Sequence, residues 1–163
     1  MDNIILIGMP GVGKSTLGVI LAKVKGYDFV DSDILIQKKT GKKLKEIIDE
    51  KGIEGFIETE NKVNSEIECD KCVIATGGSV VYGAEAMDHL KKIGKVVYLK
   101  QSLAELSKRL SDIDNRGVVL KKGQTLQNLY EERSVLYEKY ADIVVDEEGL
   151  DIEETLKKVL EKL

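Results

Sequence analysis

One nine-residue stretch, Gly8 to Thr16 (GMPGVGKST), constrains the fold of this chain more than any other. It matches G-x-x-x-x-G-K-[ST], and its flanks are those the pattern requires. The apolar run NIILIG (3–8) precedes it, and a helical stripe of Leu17, Ile20, Leu21 and Val24 follows it. Strand, glycine loop and helix in that order make a cradle for phosphate. Gly8, Gly11 and Gly13 allow a backbone nest whose N–H groups point inward. A helix starting near Lys14 adds the positive end of its dipole. Lys14 can reach β- and γ-phosphates, and the Ser15 hydroxyl can coordinate Mg2+. Gly11, Val12, Gly13, Lys14, Ser15 and Thr16 are therefore the candidate nucleotide cradle. A plain glycine turn would explain neither Lys14 nor Ser15.

Four more apolar, β-branched runs follow: DFVD (28–31), CVIAT (72–76), KVVYL (95–99) and DIVV (142–145). Helical patterns separate them, including Leu126, Leu129, Tyr130, Leu136, Tyr137 and Tyr140, and at the end Leu156, Val159, Leu160 and Leu163. This predicts an α/β fold, a five-stranded parallel sheet with helices on both faces. The 163 residues hold one proline and no low-complexity linker or repeat, so a single domain over 1–163 is expected. Hydrophobic residues make up 42% and charged residues 33%, as in a soluble globular protein. A net charge of −4 offers no basis for nucleic-acid binding. No apolar run approaches the ~18 residues of a membrane span, and no export signal is visible, so a cytoplasmic setting is expected. Cys69 and Cys72 form a C-x-x-C, but four zinc ligands are not at hand and the lone His89 stands apart. The pair reads as incidental.

Several phosphate-loop classes share GMPGVGKST, and other features separate them. The chain is short and has no guanine-reading Asn-Lys-x-Asp. The charged segment of about 33–61 fits an inserted substrate-binding helical unit. The stretch RLSDIDNRGVVLKKGQ (109–124), with Arg109 and Arg116, reads as a lid over about 110–124 that brings positive charge to phosphates. Within FVDSD, Asp31 and Asp33 would share one side of an extended chain, so a cation or donor should lie between them. Arg133 interrupts the 126–140 apolar stripe. Arginine is rarely buried unpaired, so Arg133 is expected to meet an anion or line a cleft; the plain alternative is a stem snorkelling across the core edge. Together these features point to a kinase of a small metabolite.

These residues resemble the shikimate kinases, within the nucleoside-monophosphate-kinase-like group, over almost the whole chain. GMPGVGKST, FVDSDILIQKKTGKKLKEI, VIATGGS, VVYL followed by Arg109 and Arg116, and RSVLYEKYADIVVD are each similar to a motif of that family. The resemblance implies phosphorylation of shikimate to shikimate 3-phosphate by ATP. It implies that Asp31 orients Mg2+ beside Ser15, and that Asp33 receives hydrogen bonds from acceptor hydroxyls and positions or deprotonates the attacking one. Gly77 and Gly78 would admit the acceptor close to the backbone, and Arg133 would pair with its carboxylate. Arg116 would close over the transferring phosphoryl group, and Arg109 would lie against the adenine.

The departures from that family cluster at the acceptor. In GIEGFIETE, Ile57 follows Phe56 where the family has an arginine for the shikimate carboxylate. Losing such a charge-assisted bond, worth ~1.5–3 kcal/mol, could weaken a carboxylate acceptor by ~10- to 150-fold. Ser79 stands for a third glycine, Gln37 for a glutamate, and Arg116-Gly117 for Arg-Pro. Three readings stay open: a shikimate kinase with a substitute cation, Lys62 being a nearby candidate; a kinase for another polyol or hydroxy acid; or a nucleotide-binding regulatory module without catalysis. Joint retention of Lys14, Ser15, Asp31, Asp33 and Arg116 argues against the last.

Overall fold

The computed structural model describes residues 2–110 and 123–163. Five strands, β1 (Asn3–Ile7), β2 (Asp28–Asp31), β3 (Cys72–Ala75), β4 (Gly94–Lys100) and β5 (Ile143–Asp146), form a parallel sheet in the order β2-β3-β1-β4-β5. The expected runs match these strands to within a residue at either end. β1 and β3 are buried throughout, as continuous Val/Ile/Leu runs covered on two faces should be. The edge strands differ: β2 is exposed or half-buried along its length, so FVDSD does not open as a buried strand.

The helices are α1 (Lys14–Lys25), α2 (Ser32–Thr40), α3 (Leu44–Ser65), α4 (Ala84–Ile93), α5 (Leu103–Arg109), α6 (Leu126–Tyr140) and α7 (Ile152–Lys162). The chain leaves β1 for the outer strand β2, returns through β3, and only then crosses to β4. The strand order therefore reverses beside β1, and a crevice opens beyond the carboxyl ends of β1 and β3, where ligands of open α/β sheets bind. Two loops meet there. One is the glycine loop after β1. The other is the turn 76–79, tied to β1 because Thr76 donates to the Leu6 carbonyl through its N–H at 3.2 Å and its hydroxyl at 2.7 Å.

The segment after β2 packs on its own small core of Ile36, Ile47, Phe56 and Val63. Helix α3 breaks at Gly52, whose φ of 74° and ψ of 177° are not helical, and its second half turns Phe56 and Val63 inward. Truncating a buried phenylalanine such as Phe56 costs ~3–5 kcal/mol, so this small core is what holds α3 against α2. Ile57 packs against the same cluster. Helix α6 starts at a capping box, Thr125 with Asn128, and buries Leu129, Arg133 and Tyr137 at i, i+4 and i+8.

Candidate functional site

The crevice is a cavity of about 420 Å³. Five pieces of chain line it: the glycine loop with Lys14, Ser15 and Thr16; Asp33 on α2; Phe56 and Glu60 on α3; the turn Thr76–Ser79; and Arg133 on α6. Lys14, Ser15, Thr16, Asp33, Gly77, Gly78 and Arg133, scattered over 120 residues of sequence, thus face one space.

The glycine loop works through its backbone. Gly11 and Gly13 have φ of 88° and 89°, which side-chain-bearing residues rarely adopt, and Gly13 caps α1. Val12 is different: its side chain is buried in the main core, so only its backbone can serve a phosphate. Lys14 is 7% exposed and donates to the Gly8 and Met9 carbonyls at 2.7 and 2.9 Å. Burial lowers its pKa to about 8, against the pull of Asp33. It is therefore a cation held at a cost and ready to meet negative charge.

The two aspartates part company. Asp31 ends β2 and is the N-cap of α2: Oδ1 accepts from the Asp33 and Ile34 N–H groups at 3.0 and 3.3 Å. Its other oxygen accepts from the Ser15 hydroxyl at 3.0 Å. Asp33 is already helical, so the extended i, i+2 geometry expected from FVDSD stops at Asp31. The first turn of α2 swings Asp33 into the cavity, where burial, then Asp31, raises its pKa against the pull of Lys14. Ser15 and Asp31 form a pair of hard oxygen donors; among the described residues no group of three or more acidic, histidine or cysteine side chains could cage a metal.

Arg133 is 1% exposed, lies over the Tyr82 ring at 5.4 Å, and lines the cavity. A stem snorkelling to the surface is not what the fold does with it. Gly78 is wedged beside it: a Cβ there would come 2.7 Å from Pro10 Cδ and 2.8 Å from Arg133 Nη1. The Gly78 carbonyl is fixed from behind by the Tyr137 hydroxyl at 2.6 Å. At Gly77 a Cβ would meet Asp33 Oδ1 at 2.8 Å and Glu60 Oε2 at 2.9 Å, so two carboxylates need the space that glycine leaves.

Arg109 stands outside this cavity. It donates to the Gly11 carbonyl at 3.0 Å, pairs with Glu105 at 3.1 Å, and borders two neighbouring hollows with Leu150, one of them also lined by Glu147. Arg116 and nearly all of the expected lid lie outside the described residues. Lys62 is a correction: it is exposed and does not line the cavity, so it supplies no substitute cation there. Two residues earlier on the same helix, Glu60 does line it, 1% exposed, with its pKa raised by burial to about 7. The signal was present in the sequence, since Phe56, Glu60 and Val63 fall at i, i+4 and i+7. Glu147, 5% exposed and also raised by burial to about 7, is a second acid that the sequence did not single out. The cysteines are both free thiols, and burial pushes Cys69 up to about 12, far from a reactive thiolate.

Comparison with known proteins agrees with this geometry. A shikimate kinase family model matches residues 10–163. A shikimate kinase of Francisella tularensis subsp. holarctica is 40% identical over 161 residues, covering 96% of this chain and 92% of its own. One from Thermodesulfovibrio yellowstonii is 39% identical over 165 residues, covering 99% and 95%. Among solved structures, shikimate kinase from Acinetobacter baumannii in complex with shikimate superposes with a TM-score of 0.88 at 30% identity, covering 99% of this chain and 92% of that one. With its phosphate-loop motif, buried acid and buried arginine around one cavity, and with relatives matched nearly end to end, this chain belongs to the shikimate kinase family.

Proposed function

We propose that this protein transfers the γ-phosphoryl group of ATP to a hydroxyl of shikimate, giving shikimate 3-phosphate and ADP. The observation that carries the reading is the single cavity in which the phosphate loop meets Asp33 and Arg133. Lys14 and the loop N–H groups hold the β- and γ-phosphates. Arg133 takes the acceptor's carboxylate from a fully buried position, where a guanidinium fork is worth most. Gly77 and Gly78 keep the wall low enough for the acceptor to reach the phosphate.

Asp33 accepts the proton of the attacking hydroxyl, whose oxygen bonds to the γ-phosphorus as the bond to the bridging oxygen of ADP breaks. Burial and Asp31 raise its pKa, which makes it a stronger base than an exposed aspartate. Ser15 and Asp31 are the residues that would hold Mg2+, Asp31 in part through water, since the ion prefers one or two carboxylates and the nucleotide's own oxygens. The ion supplies charge neutralisation on the phosphates. Arg109 lies against the adenine, and Arg116 brings charge to the transferring group. A small-molecule acceptor is the partner; no helix among the described residues is long and apolar enough to cross a membrane.

The test is a coupled ADP-release assay with Mg-ATP and a panel of shikimate, gluconate, inositols, small hydroxy-amino acids and nucleoside monophosphates. Shikimate should give the highest kcat/KM. Stimulation by another polyol or hydroxy acid and not by shikimate would replace the acceptor but keep the kinase. No stimulation by any of them would leave the regulatory-module reading.

A further inference from the structure

The acceptor wall contains a buried acid that the transfer step does not use. Glu60 Oε1 accepts from the Ser79 hydroxyl at 2.6 Å, while Oε2 has no hydrogen-bond partner among the described residues. A buried carboxylate oxygen left bare is costly unless it is protonated or meets a ligand. Oε2 also lies beside Asp33 Oδ1, the two being 2.9 and 2.8 Å from the point a Gly77 Cβ would occupy. Two carboxylates that close do not ionise together cheaply. Among the described residues lining the cavity the cations are Lys14 and Arg133, and Ile57 is turned into the α2–α3 core.

We propose that Glu60 is a specificity-determining residue of the acceptor site: held by Ser79, it carries a proton on Oε2 and donates a hydrogen bond to an oxygen of the bound acceptor. This rests on the acceptor reading above and deepens it. Ser79 decides which oxygen bears the proton. Its hydroxyl donates to Oε1, so the proton belongs on Oε2, beside the cavity. A neutral donor next to Arg133 suits a polyhydroxylated carboxylic acid, whose oxygens accept, and disfavours an acceptor presenting an amine there. The groups facing Glu60 are Asp33 from α2, Arg133 from α6, Lys14 from α1, and the Ser79 hydroxyl. Burial and Asp33 favour the proton; Ser79, Arg133 and Lys14 oppose it, and burial prevails, leaving the group near pH 7.

Two measurements test this on the full chain. Carbon-13 NMR of glutamate-labelled protein, with Glu60→Gln for assignment, follows the Glu60 carboxyl without any acceptor. Titration near pH 7 is expected; ionisation in the ordinary glutamate range overturns the proposal. Steady-state kinetics from pH 6 to pH 8.5 at saturating Mg-ATP then follow the acceptor. Shikimate KM should rise above pH 7, approaching ~10-fold per pH unit for one proton. In Glu60→Gln, whose amide donates at every pH, that rise should vanish while the KM for ATP stays put. Ser79→Gly should move the rise to higher pH, because it removes a bond that favours the ionised form. A wild-type shikimate KM flat across the range, or the same rise retained in Glu60→Gln, overturns the proposal. Absence of shikimate-dependent ADP release at every pH overturns the named acceptor instead, and the NMR arm still decides where the proton is.

Discussion

Replacing Lys14 by methionine tests the electrostatics of the phosphate loop apart from its chemistry. Methionine fills a similar volume and removes the charge. In the wild type, burial depresses the Lys14 pKa from 10.5 to about 8. A shift of that size corresponds to ~3 kcal/mol of cost for keeping the folded protein's lysine charged. The substitution also strips the Gly8 and Met9 carbonyls of their donor, at ~1–3 kcal/mol for each group left unsatisfied. These terms oppose one another, so the stability change at neutral pH is small and the shape of the pH curve is the informative quantity. Between pH 8 and pH 10.5 the unfolded lysine holds its proton while the folded one has lost it. The unfolded state then binds more protons, so wild-type stability rises with pH through that window. Lys14→Met lacks the rise. Glu60 and Glu147, near pH 7, titrate below the window. The buried tyrosines are common to both proteins and cancel in the difference. Urea unfolding in half-unit steps from pH 7 to pH 10.5 should show wild type gaining ~3 kcal/mol on the variant. A constant difference across the window refutes the buried-cation reading. Turnover of Lys14→Met should be abolished, and undiminished turnover sinks the role given to Lys14.

Asp33→Ala should stop turnover or raise the shikimate KM by at least ~10-fold, the effect of losing one charge-assisted bond, with ATP affinity nearly intact by calorimetry. Loss of ATP binding instead would mean that the division of labour between Asp31 and Asp33 is wrong. Gly78→Ala forces a methyl against the Pro10 ring and Arg133 Nη1, at 2.7 and 2.8 Å. Overpacking of this kind costs ~1–3 kcal/mol, so Tm should fall and the shikimate KM should rise; an unchanged Tm would show that this corner is looser than the distances say.

Much of this protein can be read along the chain because its decisive signals are local. GMPGVGKST carries its own physics within nine residues, and the five strands announce themselves as short β-branched runs between helical stripes. Arg133 is conspicuous because a charge interrupts an apolar stripe, and the fold does bury it at the cavity wall. Other features depend on where elements lie in space. Asp31 and Asp33 look alike in FVDSD, but a helix begins between them, making one a cap that binds Ser15 and turning the other into the cavity. Glu60 and Lys62 both follow Ile57 closely in sequence, yet two helical residues span about 200° of turn, so they face opposite sides. The helical period places Glu60 on the face of Phe56 and Val63, but it does not say that this face meets the cavity or that Ser79 holds Glu60. That contact joins residues 19 apart, and it exists because α3 breaks at Gly52 and the sheet order sets the 76–79 turn beside the phosphate loop. The sequence by itself determined the phosphate machinery and the sheet, through periodicity and backbone geometry. Only the tertiary structure decided the chemistry of the acceptor wall, because burial and the proximity of distant side chains set the charge of an acid.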